Sequence, residues 1–210
     1  MSSPAHCNRP RQRYAPAARP CVNLLGVIHG IHAFVPHMLG QGGEGHIVNT
    51  ASAAALTPLQ GIAPYNVSKA GVVALSETLA MDLALAGAQI GVSVLCPGFV
   101  ATNLSTNSQR SRPERLDAPS AAGPLAQLMA QTRAAGLQLP ATPADVADLV
   151  LAAVRAERFS VLPHPGYGTA HLDRLRGQLA GDYPAPTPPE LLVAANQLSG
   201  QAATMDNLPI

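Results

Sequence analysis

Two short apolar runs constrain what this chain can become. HIVNTAS (46–52) and IGVSVLCPG (90–98) contain β-branched residues and are bounded by glycine or proline, the pattern of strands buried on both faces. Between them lies YNVSKAGVVALSETLAMDLALAG (65–87), with apolar residues at helical spacing. Parallel neighbours need such a crossover, so strand, helix and strand in this order predict an α/β fold built on a parallel sheet.

The flanking segments extend the alternation. VNLLGVIHGIHAFVPHML (22–39) reads as an apolar helix, interrupted late by Pro36 and ended by Gly40, Gly42 and Gly43. Pro64 suits the first turn of the long helix. Thr142, Pro143 and Asp145 open another helix that runs to about Glu157, with the acid placed for a capping box. FSVLPHP (159–165) reads as a third short strand. Thr102 to about Leu139 reads as a long loop with a short helix around Leu125 to Ala134. Residues 1–21 are Pro-rich and carry Arg9, Arg11, Arg13 and Arg19 without an acid. They read as an unstructured leader that is not native to the fold. Residues 22–182 form the structured unit, and 183–210 read as an irregular tail.

Composition narrows the partners. Hydrophobic residues are 47% and charged residues 12%, which argues against a mostly disordered chain. Thirteen bases against twelve acids leave a net charge of +1, no general field for nucleic acid. In the Arg-rich leader only Tyr14 interleaves with the arginines, so single-strand binding there is disfavoured. No uninterrupted apolar run reaches the roughly 18 residues of a membrane span, so no membrane partner is expected. Cys7, Cys21 and Cys96 form no CxxC and no disulfide framework, which favours a reducing compartment and a cytoplasmic location.

The chemistry begins with Lys69, the sole lysine of the chain. Tyr65 lies four residues before it, one turn away on the same helix face. A free phenol, with a pKa near 10, is too weakly acidic for base work at neutral pH. An ammonium about 4–5 Å away favours phenolate by roughly 3–4 kcal/mol at an effective dielectric near 20, and burial opposes it. Such a pair can exchange a proton with an alcohol or ketone. The blander reading has Tyr65 half-buried and Lys69 solvated.

Ser52 ends the first strand, where ligands of open α/β sheets bind. It can hold a substrate oxygen, or it can simply sit in a small-residue turn. CPGFVAT follows the second strand. There Pro97-Gly98 lets a flat ligand approach the backbone, and Thr102 offers a hydroxyl. Ala53, Ala54, Ala55, Leu56 and Phe99 suggest an apolar pocket.

Asn23 in VNLLG, Ser52 in IVNTAS, Tyr65 and Lys69 in YNVSK, and PGFVAT together resemble the catalytic half of the short-chain dehydrogenase/reductase family. The resemblance covers about residues 22 to 180. It implies a partial Rossmann-like, doubly wound parallel sheet with flanking helices, the N-terminal strands missing. It implies hydride transfer between NAD or NADP and an alcohol or ketone, with Tyr65 as general acid/base. Lys69 would assist Tyr65 and bind the nicotinamide ribose. Ser52 would hold the substrate oxygen, and Asn23 a relay water. Pro97, Gly98, Val100 and Thr102 would line the nicotinamide pocket. A homodimer or homotetramer through the helices of Asn23 and Tyr65 is also implied.

The family's TGxxxGxG turn, which cradles the pyrophosphate at a helix N-terminus, is absent from this sequence. The family pattern places roughly a third of a complete enzyme before Asn23. A truncated or mis-started frame is expected, with HIVNTAS left as an unpaired edge strand. The alternative is a non-catalytic remnant that cannot bind dinucleotide and acts through protein contacts. His29, His32 and His37 share a helix, but no cysteine or acid joins them, so metal binding is disfavoured. His164 and His171 could line the substrate side, with structural roles favoured. Arg110, Arg112 and Arg115 read as a solvated basic run.

Overall fold

The two apolar runs become neighbouring strands. The computed structural model describes residues 21–104 and 141–185, with isolated positions 107, 127, 130, 131, 134 and 187. Strand β1 (Gly45–Thr50) pairs in parallel with β2 (Ile90–Leu95), in register from Gly45↔Ile90 to Thr50↔Leu95. On the other side of β2 lies β3 (Ser160–Val161), also parallel. The order β1-β2-β3 puts β2 in the middle, where five of its six residues are buried. The fold is α/β, as expected. The third strand is shorter than FSVLPHP suggested, because only two of its residues pair.

Alternation along β2 defines two faces. Ile90, Val92 and Val94 face α1 (Gly26–Gln41) and the long α3 (Ala63–Leu85). Leu95 faces the opposite way, against Val146 and Ala153 of α4 (Pro143–Arg155) and Val161. Helix α4 starts as its sequence suggested. Thr142 Oγ1 accepts from the Asp145 backbone N–H, and the Asp145 carboxylate accepts from the Thr142 N–H, a complete capping box.

The first helix departs from its expected form. It opens as a π turn, Cys21–Leu25, and continues through Pro36 to Gln41. Pro36 lies on the outward face, so the carbonyl that its missing N–H abandons meets water, and the helix continues. The segment Val22–Gln41 has 20 residues, and an 18-residue window within it has a mean hydropathy of 1.3, long and apolar enough by length and composition to cross a membrane. The uninterrupted-run criterion missed it because glycine, histidine and proline divide the run. Its inner stripe, Leu24, Val27, Ile31, Val35 and Met38, packs on the α3 and strand clusters. Its outer side exposes Phe34 together with His29, His32 and His37.

Two helices escaped the sequence reading. Ala53–Leu56 forms a single turn, α2, after β1, and Gly166–Ala180 forms α5 after β3. His171 Nδ1 and Arg174 Nε of α5 both donate to the Leu56 carbonyl, at 2.7 and 3.0 Å, tying the two together. His171 is thus a structural donor. In the stretch expected to hold a short helix, Gln127, Ala130, Gln131 and Ala134 are helical. Arg110, Arg112, Arg115, the leader up to residue 20 and most of the tail lie outside the described residues.

The edge of β1 away from β2 carries no strand among the described residues. An open groove of about 260 Å³ lies between this edge and α1, lined by Val27, Ile31, Phe34, Val48 and their neighbours. Val48 is 37% exposed and Phe34 68%. Free strand edges beside apolar surface invite self-association, and charge blunts them. Val48→Lys should therefore lower the concentration-dependent mass seen by sedimentation without altering the circular dichroism spectrum. Equal association in both proteins would contradict this.

His164 is 1% exposed, and burial pushes its pKa down to about 4 from 6.5. The unfolded chain takes up this proton below about pH 6.5, the folded chain only near pH 4. Stability present at neutral pH is therefore lost across that window, by up to about 3 kcal/mol. Thermal melts from pH 7 towards pH 4 should show a falling Tm and a shallower fall in His164→Asn. Parallel profiles would contradict it.

Candidate active site

The register Thr50↔Leu95 brings the carboxyl ends of β1 and β2 side by side. The chain after each strand stays bonded to its neighbour: Ala51 N–H donates to the Leu95 carbonyl and Ala53 N–H to the Pro97 carbonyl, both at 2.8 Å. Ser52 therefore sits between two anchored residues. Its backbone is extended, and its Oγ caps α2 by accepting from the Ala54 N–H at 3.2 Å. The turn role is thus realised. The cap uses one lone pair and leaves the hydroxyl proton free to donate. Ala53 and Ala54, expected to wall an apolar pocket, are instead buried; Ala53 packs against Tyr167 of α5.

Helix α3 presents Tyr65 and Lys69 beside this strand end. Pro64 occupies its first turn, and the Tyr65 N–H donates to the Ile62 carbonyl at 2.9 Å. Asn66 holds the approach to the helix: its Nδ2 donates to the Leu59 carbonyl at 2.7 Å and its Oδ1 accepts from the Leu59 N–H at 3.4 Å. Lys69 Nζ donates to the Thr50 carbonyl at 2.9 Å and lies 5.8 Å from the centroid of the Tyr65 ring. One ammonium thus reaches both the phenol ring and the last residue of β1, two residues before Ser52. Burial lowers the Lys69 pKa, while proximity to Cys96 raises it. Cys96, 3% exposed, has its thiol pushed up to about 11 by burial, against the pull of the Ser52 N–H and Lys69. It is a neutral, inert thiol.

The π turn carrying Asn23 packs on α3 two residues beyond Lys69. A Cβ on Gly71 would stand only 3.0 Å from Leu24 Cδ2, so glycine permits the approach. Asn23 is half-buried on this turn. After β2, the Gly98 N–H donates to His164 Nδ1 at 3.0 Å. Val100 bridges to Ala141, and the Thr102 hydroxyl accepts from the Leu104 N–H at 3.4 Å, leaving its proton free. Pro97, Gly98 and Val100 are half-buried and Thr102 is exposed.

Lys69 thus bonds to the end of β1 and stands over the Tyr65 ring, and the Ser52 and Pro97 turns are bonded together. Asn23 stands on the neighbouring element. Sequence reasoning missed the Asn66 clamp and the Gly98–His164 bond. Asn66, beside Tyr65, carries the side chain best suited to clamp a backbone from a helix start.

A family model for short chain dehydrogenase matches residues 20–113. The chain is 32% identical over 160 residues to the "CLA biosynthesis dehydrogenase/reductase" of Lactiplantibacillus plantarum, covering 74% of this chain and 55% of that protein. It is similar to a short chain dehydrogenase/reductase from Burkholderia phymatum solved in complex with NAD. That match has 37% identity and a TM-score of 0.70, and covers 80% of this chain and 60% of the other. A short chain dehydrogenase from Burkholderia cenocepacia solved in complex with NADP shares the fold. There the TM-score is 0.51 and the identity 23%, over 79% of this chain and 55% of the other. The chain thus spans little more than half the length of these proteins. With a parallel sheet of this topology, and a family-model match that spans the segments building the strand-end cluster, the chain is similar to proteins of the short-chain dehydrogenase/reductase family.

Proposed function

We propose that this chain carries the catalytic half-site of a nicotinamide-dependent oxidoreductase acting on a small alcohol or ketone. The observation behind this reading is the Lys69 ammonium, bonded to the Thr50 carbonyl at 2.9 Å and 5.8 Å from the Tyr65 ring. A nicotinamide cofactor supplies or accepts the hydride when bound. The protein's own part is the proton and the geometry. In the oxidative direction Tyr65 Oη, as phenolate, takes the proton of the substrate hydroxyl while the carbon–hydrogen bonding pair leaves as hydride. In the reductive direction it returns that proton to the carbonyl oxygen. Lys69 keeps positive charge beside the phenolic oxygen as its negative charge develops. Ser52 donates its free hydroxyl proton to the substrate oxygen. Asn23 holds a water through which the proton reaches solvent.

The residues present fit the nicotinamide half of either NAD or NADP. Lys69 can bind ribose hydroxyls, Thr102 can donate to a carboxamide, and the half-buried Pro97, Gly98 and Val100 offer a flat wall. No glycine-rich turn in this sequence serves the pyrophosphate. The 210-residue chain should therefore bind dinucleotide more weakly than the low-micromolar range by isothermal titration. Family likeness also favours a homodimer or homotetramer through α1 and α3. The second reading, a non-catalytic remnant acting through protein contacts, is favoured by the partly exposed β1 edge, which pairs with no strand but β2 among the described residues.

The test follows nicotinamide absorbance with a panel of ketones and both reduced cofactors. Wild-type turnover that drops about 10²- to 10⁴-fold in Tyr65→Phe, with the fold intact, supports the mechanism. Turnover that survives the substitution refutes it. A folded wild-type chain with no turnover supports the remnant.

A further inference from the structure

We infer that His164 is a positioning residue: it sets the orientation of the Pro97–Gly98 peptide and, through it, the turn that carries Ser52. The inference rests on the reading above for its relevance to catalysis, but the contact it describes stands on its own geometry. The Gly98 N–H donates to His164 Nδ1 at 3.0 Å. The carbonyl of the same peptide, that of Pro97, accepts from the Ala53 N–H at 2.8 Å. In a trans peptide these two groups point in opposite directions. One rigid plane therefore spans from the imidazole to the first residue of α2, directly after Ser52. Rotating that plane about the chain breaks both bonds together.

The chemistry of the ring favours this role over simple filling. Gly98 brings the proton, so Nδ1 is the acceptor and Nε2 carries the ring hydrogen. Nε2 is buried and has no hydrogen-bond partner among the described residues. A buried, unpartnered N–H is unfavourable, and a leucine or phenylalanine would avoid it. What a histidine gains at this position is the Nδ1 acceptor. The neighbourhood fixes the ring. Pro163 before it is fully buried, the Tyr167 ring meets it edge-on at 6.3 Å between centroids, and its carbonyl accepts from the Tyr167 N–H at 3.1 Å as α5 begins.

Asparagine places an oxygen where Nδ1 stands, whereas leucine offers no acceptor. In amide hydrogen exchange followed by NMR, His164→Leu should speed exchange of both Gly98 and Ala53 at least about tenfold. Core amides such as Val72 and Val92 should stay protected, and His164→Asn should restore both affected amides. Binding of reduced nicotinamide mononucleotide should weaken in His164→Leu and recover in His164→Asn. A uniform loss of protection across the core, or unchanged Gly98 and Ala53 exchange, overturns the proposal, even if Tyr65→Phe abolishes turnover. The selective pattern upholds the positioning role whatever the wild-type turnover, so the two ideas fail separately. Should His164→Leu not fold, the unaltered protein still decides: a nitrogen–nitrogen coupling across the bond from Gly98 to an unprotonated His164 Nδ1 supports the contact, and a protonated Nδ1 refutes it.

Discussion

The in-register parallel pairing of β1 with β2 is the constraint on which the rest of the molecule depends. Because Thr50 faces Leu95, the turns after both strands leave the sheet together and bond to each other. Every group of interest is placed from there. Lys69 is oriented by the final carbonyl of β1, and the Pro97–Gly98 peptide by Ala53 and His164. A slip of one residue would turn Val92 and Val94 away from α3 and separate the two turns. The site is thus a property of strand register before it is a property of side chains.

The core that enforces this register is built from small residues. Ala51, Ala53, Ala54, Ala141 and Ala153 are all nearly inaccessible, and among the described residues Tyr167 is the one buried tyrosine and no phenylalanine is buried. Small side chains let elements approach closely, as at Gly71 beneath Leu24, but each contributes little apolar area. Buried hydrogen bonds supply the missing specificity. Asn49 Nδ2 donates to Ser76 Oγ, which donates to the Val72 carbonyl, locking β1 to α3. His46 Nε2 meets Ser93 Oγ, and that hydroxyl donates to the Arg158 carbonyl, joining three segments on the other face. Polar groups so satisfied hold one arrangement against its alternatives.

Much of this was legible in the sequence, and the omissions have physical causes. HIVNTAS and IGVSVLCPG stand out as short apolar runs, the helix between them has apolar residues at helical spacing, and Thr142 with Asp145 carries its cap in plain view. Helix α5 was missed because GYGTAHLDRLRGQLA opens with two glycines and has no long apolar stripe; it is held by His171 and Arg174 reaching to the Leu56 carbonyl. The turn AAAL has no period to read, and it forms because Ser52 caps it. Pro36 misled because its cost depends on which way the freed carbonyl points. At the site, the spacing of Tyr65 and Lys69 was readable because it is local. The partners of Lys69 and Gly98 were not. A backbone carbonyl leaves no mark in the sequence, and His164 lies 66 positions from its donor.

The solitary lysine has a consequence for covalent chemistry. Apart from the chain's own terminus, Lys69 is the only primary amine this sequence offers. Burial keeps a larger share of it uncharged and nucleophilic than a surface amine, while the Thr50 carbonyl restrains it. Acylation or reductive alkylation of a side-chain amine in this protein is therefore confined to one nitrogen. A mass spectrum counting such adducts would read the accessibility of that one nitrogen directly, with no other lysine to obscure it.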